Sequence, residues 1–331
     1  MNLSIIIVNY KTIKLVIECL ESIYKFDTST IEIIVVDNKS EDNIEYILKM
    51  KCPEIIFIQM GYNSGFARAN NAAIKIAKGD NILLLNADTV NIDNAINHCD
   101  KLLRESDYLA AGVQLLNEDG SPQISGNYAM VGGLNYLLPL PFVGSFLKLI
   151  AINFKVKKPS IEKTETTIDV DWINGAFLMI KKEVIIKAGL LDEDFFLYAE
   201  EAEWCSRIKK NGRLCIFGEL NVFHLQGESS NNAFGSEGKG YFNLFDRKGL
   251  QIMLSNFVRI RKQFGLFWFF FDLLVYFLTV PVFFVGTILQ HLFIEKKYEF
   301  FQVKGFAKNI FLLLKFIPRI ISNRSFFYKV L

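Results

Sequence analysis

Six carboxylates fall within the sixteen residues DEDFFLYAEEAEWCSR (192–207): Asp192, Glu193, Asp194, Glu200, Glu201 and Glu203. Phe195, Phe196, Tyr198 and Trp204 stand between them. A solvated acidic face rarely carries so much apolar surface, so the stretch reads as a metal site or an acid/base centre. On a helix beginning near Tyr198, Glu200, Glu203 and Arg207 share one face at spacings of three and four. Acids in a first helical turn complement its dipole, which accounts for Glu200 and Glu203 but leaves Glu201, one step round, without that explanation. His224 is one of three histidines and belongs to a polar segment, HLQGESSNN (224–232). The five cysteines are scattered without a CxxC pair and read as free thiols of a reducing compartment.

These residues need a scaffold, and the first 120 residues supply its pattern. LSIIIV (3–8), EIIVVD (32–37), EIIFIQ (54–59) and NILLLN (81–86) are short apolar runs typical of buried parallel strands. Helix-like spacing over 12–24, 41–50, 66–77 and 91–104 separates them. The βαβα order predicts a doubly wound α/β sheet with helices on both faces, whose ligands bind at the carboxyl ends of the strands. The polar residues at those ends are Asn9-Tyr10, Asp37 to Ser40, Gly61 to Gly65, and Asn86-Ala87-Asp88. Each alone could be turn or cap chemistry; four on one rim suggest a site. Residues 168–189 read as strand, Gly turn, strand and helix, and LCIF (214–217) as a short strand.

Read together and in order, SIIIVNYK (4–11), IIVVDNKSED (33–42), NSGFARANN (63–71), ILLLNADT (82–89), NGAFLMIKKE (174–183), the acidic stretch and HLQGESS (224–230) resemble a family 2 glycosyltransferase of GT-A fold. The similarity is greatest to the bacterial rhamnosyltransferase-like branch and covers residues 3 to about 230. It implies a catalytic domain over 1–240 with a mixed sheet, a UDP- or dTDP-sugar donor such as dTDP-rhamnose, and a lipid-linked glycan acceptor of cell-surface polysaccharide synthesis. No nucleic-acid partner is expected. It implies that Asp37 accepts a hydrogen bond from a pyrimidine ring NH. Asn9, Asn63, Gly65, Asn70 and Asn86 join it in binding the nucleotide-sugar, with free NH groups at the helix start around Phe66 and a phosphate contact from Arg68. Asn86-Ala87-Asp88 stands where the family has its DXD motif, with Asn in place of the first Asp. Asp88 and His224 would then ligate Mg²⁺ or Mn²⁺, hard cations that favour oxygen ligands and leave positions for diphosphate oxygens. Ser229 and Ser230 would touch the diphosphate. Glu201 aligns with the family's catalytic base, Glu replacing the usual Asp, with Glu200 as runner-up. The implied reaction is a single inverting displacement. Trp172, Asp192 and Glu193 would meet the acceptor, Trp172 by stacking on a sugar. A sugar-nucleotide-forming nucleotidyltransferase would need a Gly-rich triphosphate loop, and VNYKTIKL has no glycine. A non-catalytic glycan-binding protein of this fold would have no use for Asp37, Asp88, Glu201 and His224 together.

The remainder of the 331-residue chain differs in character. Residues 241–331 hold 13 Lys/Arg against 4 Asp/Glu, a net of +9 that leaves −7 for the first 240. Residues 264–293 have one charge, Asp272, and one internal proline, Pro281, with basic residues at both ends. The length suffices to cross a bilayer, but charge on both flanks favours a Pro-kinked re-entrant hairpin or helices lying in the interface. With the basic, apolar 300–327, region 241–331 is expected to be a helical membrane-association region at the cytoplasmic side of the cell membrane. A protein-packed subdomain or a homodimer interface is the other reading. The apolar segment 128–154, broken by Gly and Pro, is expected to be a flap or a surface packed on lipid or on the tail. MNLSIIIVNYK has neither the basic region nor the apolar run of a signal peptide.

Overall fold

The four apolar runs become strands because each is rich in Ile, Val or Leu and can be buried on both faces. They are β1 (Leu3–Asn9), β2 (Ile31–Asp37), β3 (Ile56–Gln59) and β4 (Asn81–Asn86), and they pair in parallel. The computed structural model describes residues 1–128, 132–156, 159–225, 231, 234–236, 243–293 and 297–330. The helices between the strands are α1 (Ile13–Ile23), α2 (Ile44–Lys51), α3 (Gly65–Ile74) and, after a short β5 (Thr89–Asn91), α4 (Ala95–Glu105). Helices α2 and α4 begin later than the sequence suggests: Asn43 and Asn94 have positive φ, which turns the chain before the helix can start.

The sheet then becomes mixed. The later strands are β6 (Ala110–Leu116), β7 (Gly126–Asn127), β8 (Ser160–Ile161), β9 (Thr167–Val170), β10 (Trp172–Ile173), β11 (Phe177–Lys181) and β12 (Leu214–His224). The main sheet has order β3-β2-β1-β4-β11-β6-β12-β5, with β9 paired to β12. Strand β11 runs antiparallel to β4 and β6, and β10-β7-β8 form a small second sheet. Alternating side chains feed two cores: Ile5, Ile7 and Leu83 on one face, Ile6, Ile34 and Leu84 on the other. Helices α6 (Lys182–Ala188) and α7 (Glu200–Lys209) follow β11. The fold is thus the mixed α/β sheet with helices that the sequence suggests.

The chain divides into two compact units, Met1–Met130 with Pro159–Phe196 and Glu200–Ser229, and Val131–Lys158 with Leu197–Ala199 and Ser230–Leu331. The second unit contains a 3-10 turn (Gly133–Leu137), α5 (Val143–Asn153), α8 (Arg247–Gln263), α9 (Gly265–Phe293), α10 (Phe300–Leu314) and α11 (Ile317–Ser322). The hairpin expected at Pro281 does not form: α9 is one helix of 29 residues with Pro281 inside. A proline removes one backbone bond, and the rest of the ladder continues through it. At 1.5 Å per residue the helix is about 43 Å long, and by length and composition it could cross a membrane. Its polarity is inverted. Asp272, Thr279, Thr287 and Gln290 are buried beside Phe269, Tyr276 and Phe283, while Phe267, Leu274, Phe277, Leu278 and Phe284 are exposed. The buried stripe packs through rings: Phe257 on Phe269 and Tyr276, and Phe306 on Tyr276 and Phe283. Asp272 lies so close to Gly133 that a β-carbon there would sit 2.4 Å from its Oδ2. Helix α5 buries only Gly144 and exposes Phe146, Leu149 and Ile152.

Cys19, Cys99, Cys205 and Cys215 are buried, and burial pushes the Cys19 thiol up to about 12 and Cys99 and Cys215 up as well. The thiolate is the reactive form. At pH 7.5 a thiol reagent should therefore label the folded protein at Cys52 alone and all five cysteines after denaturation. Mass spectrometry of the alkylated protein reads the count, and rapid native labelling of Cys19 would contradict this core.

Candidate active site

Every strand end that the sequence marks as polar is locked by side-chain hydrogen bonds. At the end of β1, the Asn9 amide donates to Asp37 Oδ1 (2.8 Å) and Ser40 Oγ (2.8 Å), and its oxygen accepts from Thr12 N (3.1 Å). Asp37 Oδ2 accepts from Ser40 N (3.0 Å) and Gln59 Nε2 (2.9 Å), so three of about four acceptor positions on this 1 % exposed carboxylate are used. Asn38 ties the next loop in place. Its oxygen accepts from Ser64 N and Oγ, and its amide donates to Gly65 O (3.0 Å). Asn63 Oδ1 accepts from Gly65 N (3.2 Å), and Asn70 Nδ2 donates to Phe66 O inside α3 (2.9 Å).

The start of α3 corrects one expectation. The Phe66 NH is not free: it donates to Phe196 O at 2.9 Å. The acidic segment therefore docks on the helix start at which the sequence resemblance implies free NH groups. Gly65 has φ +74°, and Phe196 crosses it so closely that a β-carbon there would lie 2.2 Å from Phe196 O. The same segment is fastened further along α3. Arg68 Nε donates to Glu193 O (3.2 Å), Asn71 Nδ2 to Glu193 Oε1 (3.1 Å) and Leu191 O (2.9 Å), and Lys75 pairs with Glu193 at 3.8 Å. Both Arg68 and the Glu193 carboxylate thus hold this segment on α3, whatever else they touch. Asp192 Oδ1 accepts from Asp194 N (3.0 Å) and shapes the turn.

At the end of β4, Asn86 is half-buried and Asp88 buried. Strand β12 returns antiparallel to β5 with His224 opposite Thr89, and Leu225 N donates to Asp88 O at 2.9 Å. This pairing sets His224 Nε2 3.4 Å from Asp88 Oδ1 and 3.5 Å from Asn86 Nδ2, with His224 5 % and Asp88 4 % exposed. Donors in neighbouring positions around a divalent cation, each ~2.1 Å from it, lie about 3 Å apart. The Asp88–His224 pair fits one edge of such a shell. Among the described residues no three His, Cys, Asp or Glu side chains converge on a metal position, so these two side chains alone would supply one edge of such a shell and no more. Ser229 and Ser230 lie outside the described residues.

The acids then separate by role. Glu203 is clamped by Arg207, whose Nε reaches Oε1 (2.8 Å) and Nη2 reaches Oε2 (2.7 Å) while its other contacts go to Ala188 O and Leu190 O. Glu200 and Glu201 are 3 % and 5 % exposed in the first turn of α7. Tyr198 and Ala199, immediately before them, have φ of +73° and +67°, unusual for residues with a β-carbon. Glu201 lies over Gly175, since a β-carbon on that glycine would be 3.4 Å from Glu201 Cγ. The adjacent Ala176 carbonyl accepts from Asn86 N (3.0 Å), which links the Glu201 neighbourhood to the end of β4. Trp172 is 8 % exposed, its ring in the core with Ile216 and Val170 and its Nε1 without a hydrogen-bond partner among the described residues. That burial does not offer an open ring face for stacking. Sequence reasoning missed Gln123, whose Oε1 lies 2.9 Å from His224 Nδ1, and placed Asn38 on the polar rim without giving it a role. Asn38 stood at a strand end and was visible; Gln123 carries no local signal.

Comparison with known proteins agrees with this architecture. Residues 4–164 match the family model "Glycosyl transferase family 2". The chain is 28 % identical over 216 residues to the low-salt glycan biosynthesis hexosyltransferase Agl10 of Haloferax volcanii, covering 63 % of this chain and 62 % of that protein. It is 30 % identical over 198 residues to the glycosyltransferase GlyG of Streptococcus pneumoniae, covering 59 % of each. The match thus spans about six tenths of these relatives' lengths. The crystal structure of GalNAc-T7 with UDP, GalNAc and Mn²⁺ superposes with a TM-score of 0.52 at 14 % identity, over 80 % of this chain and 51 % of that one, a likeness of fold.

Gly65 is the position where the loop tolerates least change. Gly65→Ala combines a positive φ with a clash against backbone and should cost about 2 kcal/mol or more. Thermal unfolding should show a midpoint several degrees lower; a midpoint equal to that of the unsubstituted protein would mean the Phe196 crossing is not as close as described.

Proposed function

We propose that the chain, whose residues 4–164 match the model of family 2 glycosyltransferases, is an inverting, metal-dependent glycosyltransferase. It transfers a sugar from a UDP- or dTDP-sugar, dTDP-rhamnose being the donor the sequence resemblance favours, to a lipid-linked glycan. The observation that carries this reading is the Asp88–His224 edge at the end of β4, buried and 3.4 Å across. A glycan-synthesis hexosyltransferase among the relatives, and UDP and Mn²⁺ in a protein of like fold, support the substrate and ion classes.

Each residue has a task in this reading. Asp37, fixed by Asn9, Ser40 and Gln59, keeps one acceptor position for the base. Asn63 and Gly65 shape the loop beside it, with Asn70 bracing α3 behind them. Asp88 and His224 hold Mg²⁺ or Mn²⁺, which when bound offsets the charge on the leaving diphosphate, and Asn86 borders that position. Glu201 accepts the proton of the acceptor hydroxyl as that oxygen attacks the anomeric carbon on the face opposite the leaving group. Glu200 lies beside it in the same helical turn. Asp192 and Glu193 set the turn along which the acceptor lies. In this proposal residues 1–240 bind the nucleotide-sugar, and residues 241–331 attach the chain to the cytoplasmic face of the membrane. The inverted α9, with polar groups inward and large apolar side chains outward, supports membrane attachment over a water-facing surface, and α5 has the same apolar exposure.

Glu201→Gln should lower transfer on the order of 10² to 10⁴-fold with UDP affinity by calorimetry unchanged; full transfer activity would remove Glu201 as the base. For the membrane reading, the double substitution Leu274→Glu and Phe284→Glu alters two exposed sites. It should move the protein from the membrane pellet to the supernatant at an unchanged melting temperature. Complete retention in the pellet would reject α9 as the attachment surface.

A further inference from the structure

The imidazole of His224 is held from behind by a chain of side chains whose donors and acceptors all run one way. Gln123 is 6 % exposed. Its Nε2 donates to His224 O (2.6 Å) and to Asn117 Oδ1 (2.7 Å), which commits its two amide protons and turns Oε1 toward His224 Nδ1 at 2.9 Å. Asn117 is oriented in turn, because its Nδ2 donates to Ser121 Oγ at 2.8 Å. The Ser121 hydroxyl spends its single proton on Asp119 Oδ1 (2.5 Å), and Ser121 N donates to the same oxygen (2.9 Å). An ionised carboxylate only accepts, and the Ser121 contacts hold the Asp119 carboxyl below its ordinary range. The backbone of Gln123 is fastened as well: its N donates to Leu115 O (2.8 Å), and its O accepts from Gln114 Nε2 (3.1 Å) and Ser125 Oγ (3.1 Å).

We propose that Asp119, Ser121, Asn117 and Gln123 form a directional relay that fixes His224 with its proton on Nδ1 and its Nε2 lone pair aimed at Asp88. Gln123 is the positioning residue of the relay and touches neither substrate nor ion. Since Oε1 can only accept, Nδ1 must donate, and a neutral ring then has its lone pair on Nε2. That lone pair faces the Asp88 carboxylate across 3.4 Å, with the Asn86 amide nitrogen at 3.5 Å. Two acceptors facing each other in a buried place repel unless a cation stands between them. The relay thus selects the tautomer that a divalent ion requires. This inference rests on the reading of Asp88 and His224 as ion ligands, and the residues it adds are four that the sequence motifs do not include.

The test uses the full chain labelled with ¹⁵N-histidine, which contains only three histidines. Two-bond ¹H–¹⁵N correlations at pH 8 should show His224 as the Nδ1–H tautomer. Gln123→Met, which keeps the volume and loses both partners, should mix the tautomers. Asn117→Ala, which frees the Gln123 amide to turn over, should do so partly. Binding of Mn²⁺ alone, followed by the loss of its free EPR signal, should weaken on the order of 10 to 100-fold in Gln123→Met, with a smaller loss in Asn117→Ala and the melting temperature of the latter near that of the unsubstituted protein. An Nε2–H His224 in the unsubstituted protein would overturn the relay, as would Mn²⁺ binding and tautomer both unmoved by Gln123→Met. If instead the tautomer responds as stated but the unsubstituted protein takes up no Mn²⁺, the relay stands and the ion-ligand reading fails.

Discussion

The backbone hydrogen bond from Leu225 N to Asp88 O closes the β5–β12 ladder, and the candidate site depends on it. Asp88 and His224 are far apart in sequence, and nothing local brings them together. The approach also depends on an irregularity in β12. Phe217 is opposite Val113, but Asn221 is opposite Gln114, so Gly218, Glu219 and Leu220 form a bulge. An insertion of an odd number of residues reverses which face the following side chains occupy. Leu214 and Ile216 lie in one core and Cys215 and Phe217 in the other; after the bulge it is Val222 that joins Phe217. His224 follows Val222 by two and so faces the same way. Gly218 makes the bulge possible, since a β-carbon there would lie 2.6 Å from Thr166 O.

What the sequence made legible follows from the range of the forces involved. The cores of β1, β2 and β4 are continuous apolar runs, and such runs announce themselves. The polar strand ends Asn9, Asp37 and Asn86-Ala87-Asp88 were readable for the same reason, as breaks in those runs. Strand β5 was not, because Thr89–Asn91 is three residues long and is a strand only through its pairing with β12. Gln123 was invisible because its partner lies 101 positions away. Tyr198 and Ala199 adopt left-handed backbone without being glycine or asparagine, so their residue types carry no warning. The Phe66 NH was misjudged because a helix start looks like an anion site until something else occupies it, here Phe196 O.

Helix α9 of the second unit departs from the usual distribution of polarity. In α9 the buried side includes Thr279 and Thr287, whose hydroxyls donate to the carbonyls of Val275 and Phe283 four residues back, and Gln290, which donates to Tyr298 O. These groups satisfy themselves within the protein. The outward side offers Phe and Leu along the length of the helix. In water that distribution is unfavourable, at about 25 cal/mol for each Å² of apolar surface left exposed. The sequence alone shows a long apolar segment with a proline, from which composition suggests a hairpin or helices lying in the interface. Composition cannot say which side faces inward; the spacing of Phe269, Asp272, Tyr276, Thr279 and Phe283 can, once partners exist for it.

The Asn at position 86 acquires a physical meaning from its neighbours. Asp88 and Asn86 both approach His224 Nε2, and an aspartate in place of Asn86 would add a second negative charge to the same buried place. With asparagine the pair Asp88–His224 carries a formal charge of −1 when the ring is neutral, which is half of what a divalent cation needs. Taking any charge out of water is expensive, so a divalent ion held by these two groups alone would remain under-compensated. A nucleoside diphosphate brings the missing negative charge and further oxygen ligands. Under the proposed function, ion and donor would therefore bind with positive coupling, each strengthening the other by the same factor. A chain with aspartate at position 86 would gain affinity for the ion alone and lose part of that mutual dependence. Under the proposed function, the asparagine that looks like a weakened metal motif in the sequence would keep the ion dependent on the donor.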